Sequence, residues 1–236
     1  FDEALALVRQ LAEKRNYYVL NSVNPWRLEG QKTIIWEALM QFSWRVPDWI
    51  VVPAGNVGNT SAFGKALLEA KKMGWIDRLP RLAAVQAQGA NALYQTWSQK
   101  SDRLLEVQAP ETIASAIRIG KPVNWQKALK YLTATNGVVE QVSEQEIMDA
   151  KAVVDAAGIG CEPASAACVA GAKKLAVAGT IAPNETVLGV LTGHVLKDPD
   201  ATVNYHLGKL FGILPNKANP PVQVEATLAS LEAALG

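Results

Sequence analysis

Apolar positions along the chain alternate between helical and extended spacing. From Asp2 to Arg15, Leu5, Val8, Leu11 and Ala12 recur at three- and four-residue intervals, which places them on one face of a helix. Tyr17-Tyr18-Val19-Leu20 reads as a short strand, broken by Asn21-Ser22-Val23-Asn24-Pro25. Residues 29–42 return to helical spacing, and Trp49-Ile50-Val51-Val52 is an unbroken apolar run of strand length. A helix over residues 61–73 and a strand at Leu82-Ala83-Ala84-Val85 come next. The following region is less regular. It predicts a helix over residues 112–119, a break at Gly120-Lys121-Pro122 and a helix from Trp125. Val138-Val139 opens another strand, and Ser143-Glu144-Gln145-Glu146 has the form of a capping box for a helix running to Ala157. Residues 163–178 make a helix of small residues suited to close packing, and residues 186–191 form the last strand.

Strands separated by helices imply right-handed crossovers. The expected fold is therefore α/β, an open, mostly parallel twisted sheet with helices on both faces. Composition agrees with a layered core, since 49% of the 236 residues are apolar and only 19% charged. Lys+Arg 23 against Asp+Glu 22 gives a net charge of +1 with no basic stripe, which argues against nucleic acid as a partner. No stretch approaches the ~18 consecutive apolar residues that a membrane-spanning helix needs, and no secretory leader is visible. Cys161 and Cys168 have no His or Cys at zinc-site spacing, so no metal site is expected; both read as buried thiols of a reducing cytoplasm. Phe1-Asp2-Glu3 reads as the interior of a longer chain.

In open α/β sheets ligands bind beyond the carboxyl ends of the strands. Four polar clusters fall there: Asn21-Ser22, residues 55–59, Gln86-Ala87-Gln88-Gly89 and Thr192-Gly193-His194. The second is the most telling. Pro53-Ala54-Gly55-Asn56-Val57-Gly58-Asn59-Thr60 joins an apolar strand to a helix, an arrangement that aims free N–H groups and a positive helix end at an anion. Gly55 and Gly58 lack a Cβ that would hold an anion off, and Asn56 and Asn59 tolerate unusual φ and carry amide donors. The spacing is G-x-x-G, without the Lys-Ser/Thr of the nucleotide loop or the G-x-G-x-x-G of dinucleotide folds. A small phosphate ester suits it better than ATP or NAD.

Several segments together resemble the threonine synthases, pyridoxal-phosphate enzymes of the tryptophan-synthase-β fold type. They are Asn21-Ser22-Val23-Asn24-Pro25-Trp26-Arg27-Leu28-Glu29-Gly30-Gln31-Lys32-Thr33, the loop at residues 52–59, Ala114-Ser115-Ala116-Ile117-Arg118-Ile119-Gly120, Glu162-Pro163-Ala164-Ser165-Ala166-Ala167 and Leu191-Thr192-Gly193-His194. The loop and the Glu-Pro helix start recur across the fold type. The first segment and the Thr-Gly-His ending favour threonine synthase.

The resemblance implies roles. Gly55, Asn56, Val57, Gly58 and Asn59 would hold the phosphate of pyridoxal 5'-phosphate, and Thr192 would meet its ring nitrogen. Asn21, Ser22 and Arg27 would hold the phosphate of the substrate, O-phosphohomoserine. Glu162 would lie near the ring. Each position has a plainer reading: a tight strand-to-helix turn for the loop, a strand-end turn for Thr192, a pairing of Arg27 with Glu29 or a carbonyl, and a helix-start acid at Glu162. His194 is expected to orient its turn, and Lys32 and Arg118 to make ion pairs or face water.

The lysine that carries the cofactor in this family, with its Ser/Gly/Asn-rich loop, would lie upstream of Phe1. Lys65 and Lys71, expected at exposed helical positions, do not replace it, so no catalytic residue is assigned within this chain. Residues 1–25 would then be the tail of a smaller substrate domain and residues 26–236 the larger cofactor-phosphate domain. The implied activity, for the full-length protein, is conversion of O-phosphohomoserine and water to L-threonine and phosphate. Alternatives are another member of the fold type, such as a threonine dehydratase or a sulfhydrylase, or a non-catalytic cofactor-binding homologue. A homodimer is left open.

Overall fold

A computed structural model describes residues 2–236; Phe1, where the smaller-domain segment was expected to begin, lies outside them. Four strands form one parallel sheet: β1 (Trp49–Pro53), β2 (Arg81–Ala87), β3 (Val138–Val142) and β4 (Val187–Gly189), in the order β3-β2-β1-β4. Trp49 pairs with Arg81 on one side and Val187 on the other, and Ala83 with Val138. All five β1 residues are buried, as the unbroken apolar run requires of a strand covered on both faces.

Side chains alternate across the sheet. Ile50, Val52, Leu82 and Ala84 pack against Ile35, Phe63, Leu67 and Leu132. These come from α3 (Thr33–Gln41), α4 (Gly58–Lys72) and α6 (Trp125–Ala134), and Leu28 of α2 (Pro25–Gln31) joins them. On the other face Trp49, Val51, Ala83 and Val85 meet α7 (Glu144–Ala156) and α8 (Pro163–Val177) through Ile147, Val154, Ala164, Ala167, Cys168 and Leu175. The expected α/β architecture with helices on both faces is what forms. The capping box of α7 is present at both ends, with Glu146 N–H donating to Ser143 Oγ and Ser143 N–H to Glu146 Oε2. The remaining helices are α1 (Asp2–Arg15), α5 (Ala92–Ser98), α9 (Pro199–His206) and α10 (Leu228–Leu235).

Four expectations change. Residues 17–20 are not a strand; among the described residues no sheet edge pairs with them, and Tyr17, Tyr18 and Leu20 are exposed. The helix expected over residues 29–42 starts earlier, at Pro25, because the Asn24 side chain accepts from Trp26 N–H and Pro25 takes the first helical position; it then breaks at Lys32 into α2 and α3. Residues 112–119 carry only a 3-10 turn, Ser115–Ile117. Their donors are taken elsewhere, Ile113 N–H by Glu144 Oε2 at 2.7 Å and Ala114 N–H by Thr112 Oγ1 at 3.1 Å. On α1, Leu5 and Ala12 are buried while Val8 and Leu11 face outward.

The edge strand β4 is short and held at its entry by Asp48. Asp48 Oδ2 accepts from Thr186 N–H and Oγ, both at 2.8 Å, and Asp48 N–H donates back to Thr186. The Thr186 N–H, then its hydroxyl, then Arg78 at 3.0 Å hold the Asp48 carboxyl below the usual carboxylate range. A lowered carboxyl pKa contributes stability that is present above the unfolded value and lost as pH falls through the folded one. We therefore expect β4 to fray on acidification into and below the carboxylate range. The Thr186 amide, measured by hydrogen exchange corrected for intrinsic rate, loses protection there, and Asp48→Ala removes that pH dependence.

Candidate functional site

Leaving β1, the chain crosses to β2 and β3 on one side, and it later returns to place β4 on the other. The winding therefore reverses between β1 and β4, which opens a crevice beyond their carboxyl ends. A cavity of about 200 Å³ lies there, with the β1–α4 loop on one side and Thr192 on the other. Asn21, Ser22, Arg27, Gly55, Asn56, Val57, Gly58, Asn59 and Thr192 all line it. Residues drawn from three distant stretches of sequence thus share one space.

The loop is built to leave donors free. Val57 is the N-cap of α4 at φ 52°, ψ 23°, with no side-chain cap, and the first bond of the helix runs from Ser61 N–H to Val57 O at 3.0 Å. The N–H groups of residues 55–60 donate to no protein acceptor among the described residues. The unusual φ expected of the asparagines falls instead on Val57, a β-branched residue for which it costs about 1–3 kcal/mol. Asn56 Oδ1 accepts from Val123 N–H at 2.9 Å, which leaves its buried Nδ2 without a partner; buried Asn59 Oδ1 is likewise unpaired. Buried polar groups are nearly always satisfied, so the free N–H groups and the orphaned Asn56 amide nitrogen suit an accepting ligand, while the Asn59 oxygen is itself an acceptor and lies outside that donor set. A Cβ on Gly55 would stand 3.0 Å from Ala116 O and 3.1 Å from Ile117 Cα, so the opposite wall needs glycine there. A phosphate ester fits this donor set.

Gln86 supports the loop from beneath: its Nε2 donates to Ala54 O at 3.0 Å and its Oε1 accepts from Tyr94 N–H. The cluster Gln86-Ala87-Gln88-Gly89 is therefore not at the cavity; Gln88 and Gly89 line a separate recess with Glu111 and Glu144. Across the crevice, Thr192 Oγ1 is 3.2 Å from Ser165 Oγ, which also accepts Gly193 N–H at 2.9 Å. Ser165 is fully buried in the first turn of α8, a supporting residue to which the sequence reading gave no role.

Glu162 is 2% exposed at the start of α8 without capping it. It lies against Gly193, where a Cβ would meet Oε1 at 2.0 Å, and so sits behind the cavity lining. Its Oε2 has no hydrogen bond and Lys197 Nζ stands 3.6 Å away. His194 Nδ1 accepts from Leu196 N–H, within its own turn.

The third group sits on α2 and the turn before it. Arg27 Nη1 donates to Asn21 Oδ1 at 3.2 Å and Ser22 Oγ at 3.4 Å rather than pairing with Glu29. Glu29 is taken up by Lys32 at 2.7 Å and by Lys65, and both lysines also approach Glu69. These hydrogen bonds, Lys32 first and Lys65 next, hold the Glu29 carboxyl below its ordinary pKa. Lys65, expected at an exposed position, is half-buried and ion-paired, and the network fastens α2 to α4 at the flank of the cavity. Lys71 is exposed.

Residues 1–193 match the pyridoxal-phosphate dependent enzyme family. The chain is 46% identical over 204 residues to a threonine synthase of Methanocaldococcus jannaschii, covering 86% of this chain and 50% of that one. It is 40% identical over 232 residues to threonine synthase 2, chloroplastic, of Arabidopsis thaliana, covering 98% and 45%. The chain thus spans about half the length of the curated relatives it matches. Among solved structures, threonine synthase of Escherichia coli superposes with a TM-score of 0.68 at 21% identity over the whole chain and 56% of its own, a likeness of fold. A family match across most of the sequence, joined to a strand–loop–helix cradle of free donors, places the chain in the pyridoxal-phosphate dependent enzyme family.

Proposed function

We propose that this chain is the larger, cofactor-phosphate-binding part of a threonine synthase, from residue 26 onward, with residues 1–25 the tail of a smaller substrate domain. The full-length enzyme would convert O-phosphohomoserine and water to L-threonine and phosphate in the cytoplasm. One observation carries the reading: a second anion-binding set, Asn21, Ser22 and Arg27, opens into the same cavity as the loop residues 55–59, whose N–H groups are free. A fold-type relative acting on an unphosphorylated amino acid has no use for that second set.

The bound cofactor supplies an electron sink for breaking bonds beside the amino-acid Cα. This chain's residues hold and orient. The N–H groups of residues 55–59, with Asn56 Nδ2, would hold the cofactor phosphate, and the positive end of α4 favours the dianion. The Thr192 hydroxyl, steadied by Ser165, would serve the ring nitrogen as a neutral partner, tempering electron withdrawal compared with a carboxylate. Arg27 offers a planar fork to the substrate phosphate, with the Ser22 hydroxyl and the main chain beside it. Ile117 and Ile119 supply an apolar wall to the cavity. The lysine that carries the cofactor is assigned to the upstream domain.

Arg27→Ala in the full-length enzyme tests this. Losing a charge-assisted hydrogen bond costs about 1.5–3 kcal/mol, so KM for O-phosphohomoserine should rise roughly tenfold to a hundredfold. Cofactor affinity and absorbance should stay unchanged. Unaltered KM, or faster turnover of an unphosphorylated amino acid by the wild type, sinks the reading in favour of a dehydratase-like relative.

A further inference from the structure

Asn124 occupies the N-cap of α6 but does not cap it. An asparagine there ordinarily lends its side-chain oxygen to the second or third N–H of its helix. Asn124 makes no such bond. Its Nδ2 donates instead to the Ser22 carbonyl at 3.1 Å, 102 residues away in sequence. Its main-chain N–H donates to Asn56 O at 3.4 Å, and its carbonyl accepts from the Ser61 hydroxyl at 3.4 Å. The residue is 5% exposed. One buried side chain and its backbone therefore touch both anion-binding sets: Ser22 of the Arg27 cluster, and Asn56 and Ser61 around the α4 cradle.

The two sets depend on it differently. Every other hydrogen bond that residues 19–24 make among the described residues is local, to Asn21, Val19, Asn24 or the neighbouring turn of α2. Among the described residues, the Asn124 side chain makes the one hydrogen bond that ties this turn to the body of the domain. The cradle keeps independent supports, Gln86 to Ala54 O and Val123 N–H to Asn56 Oδ1. Deleting the carboxamide removes that tie, leaving the Ser22 turn held only through α2, while the cradle keeps its own supports.

We propose that Asn124 is a positioning residue that sets the spacing between the two phosphate-binding sets, and through it the enzyme's selectivity for a phosphorylated amino acid. The inference rests on the threonine-synthase reading and adds to it a residue that touches neither cofactor nor substrate. Holding a ligand group within a fraction of an ångström is what such a strap contributes.

The experiment compares Asn124→Ala and Asn124→Leu with Arg27→Ala in the full-length holoenzyme; leucine refills the volume without donating, so at least one variant should fold. Both Asn124 variants should raise KM for O-phosphohomoserine about tenfold, the worth of one hydrogen bond to a tightly placed group. Competitive inhibition by inorganic phosphate should weaken by the same factor, with kcat and cofactor affinity held within about twofold. A merely structural role would lower cofactor affinity and KM performance together, and that outcome overturns the proposal. So does an unchanged KM in both variants while Arg27→Ala shows its effect, which leaves the functional reading standing. Absence of wild-type turnover with O-phosphohomoserine removes both.

Discussion

Asp155→Ala should lower the unfolding free energy of this chain by about 3–5 kcal/mol, the cost of stranding a buried charge. Lys151 is 1% exposed, and its ammonium meets Asp155 Oδ2 at 2.6 Å, one turn along α7. Most ion pairs on this protein are half-exposed and worth less than about 1 kcal/mol each. This one differs because its cation has no route to water. Asp155 also accepts Cys161 N–H through Oδ1 at 3.2 Å, and so fixes the turn that delivers Glu162 and the start of α8. Removing the carboxylate leaves the Lys151 charge and the Cys161 donor unpaired together. Urea denaturation should show a lower midpoint at unchanged slope. The double variant Lys151→Met, Asp155→Ala should recover most of the loss, since replacing a buried pair with apolar groups is often neutral. Failure of the double variant to recover would assign the cost to the Cys161 turn instead.

What could be read from the sequence followed how local the cause was. The β1 run was legible because burial on both faces needs only a continuous apolar string, and Ser143 and Glu146 announce their helix from four consecutive residues. Residues 17–20 carry the same β-favouring side chains, but such side chains say only that a residue suits a pleated surface, not that a neighbouring edge exists. The helix expected over residues 112–119 failed for a related reason, since Glu144, thirty-one residues away from Ile113, claims a donor the helix would need.

The site divides in the same way. The loop at residues 55–59 and Thr192 are short motifs beyond strand ends, the Asn21–Ser22–Arg27 group sits on α2 and the turn before it, and the cavity gathers them all. Gln86, Ser165 and Asn124 act through partners 27 to 102 residues distant, so their own neighbours in sequence carry no sign of the role. An asparagine at a helix start would be read as a cap, and only the direction of its side chain shows otherwise. The positive φ at Val57 was hidden too, because a valine is the last residue one would choose for it.

Gly55→Val should weaken binding of the cofactor phosphate by about a hundredfold, from roughly 2–3 kcal/mol of overpacking. The Cβ alone would already press on Ala116 O and Ile117 Cα, which are backbone atoms that yield poorly, and the added methyls must push the cradle away from the Ile117–Ile119 wall. Gly58 supplies the contrast. Its φ is not in the left-handed region, and a Cβ there meets nothing in the protein closer than 3.6 Å. Folding therefore has no need of glycine at position 58, the first residue of α4. Its nearest neighbours would be Gln31, Asn124 and Leu28, between the cradle and the Arg27 group. Gly58→Ala should thus keep the melting temperature while weakening cofactor binding, read by absorbance titration. If this were an ordinary strand-to-helix turn, neither substitution would touch binding and only Gly55→Val would cost stability. Loss of affinity without loss of stability at Gly58 separates a glycine kept for a ligand from one kept for the fold.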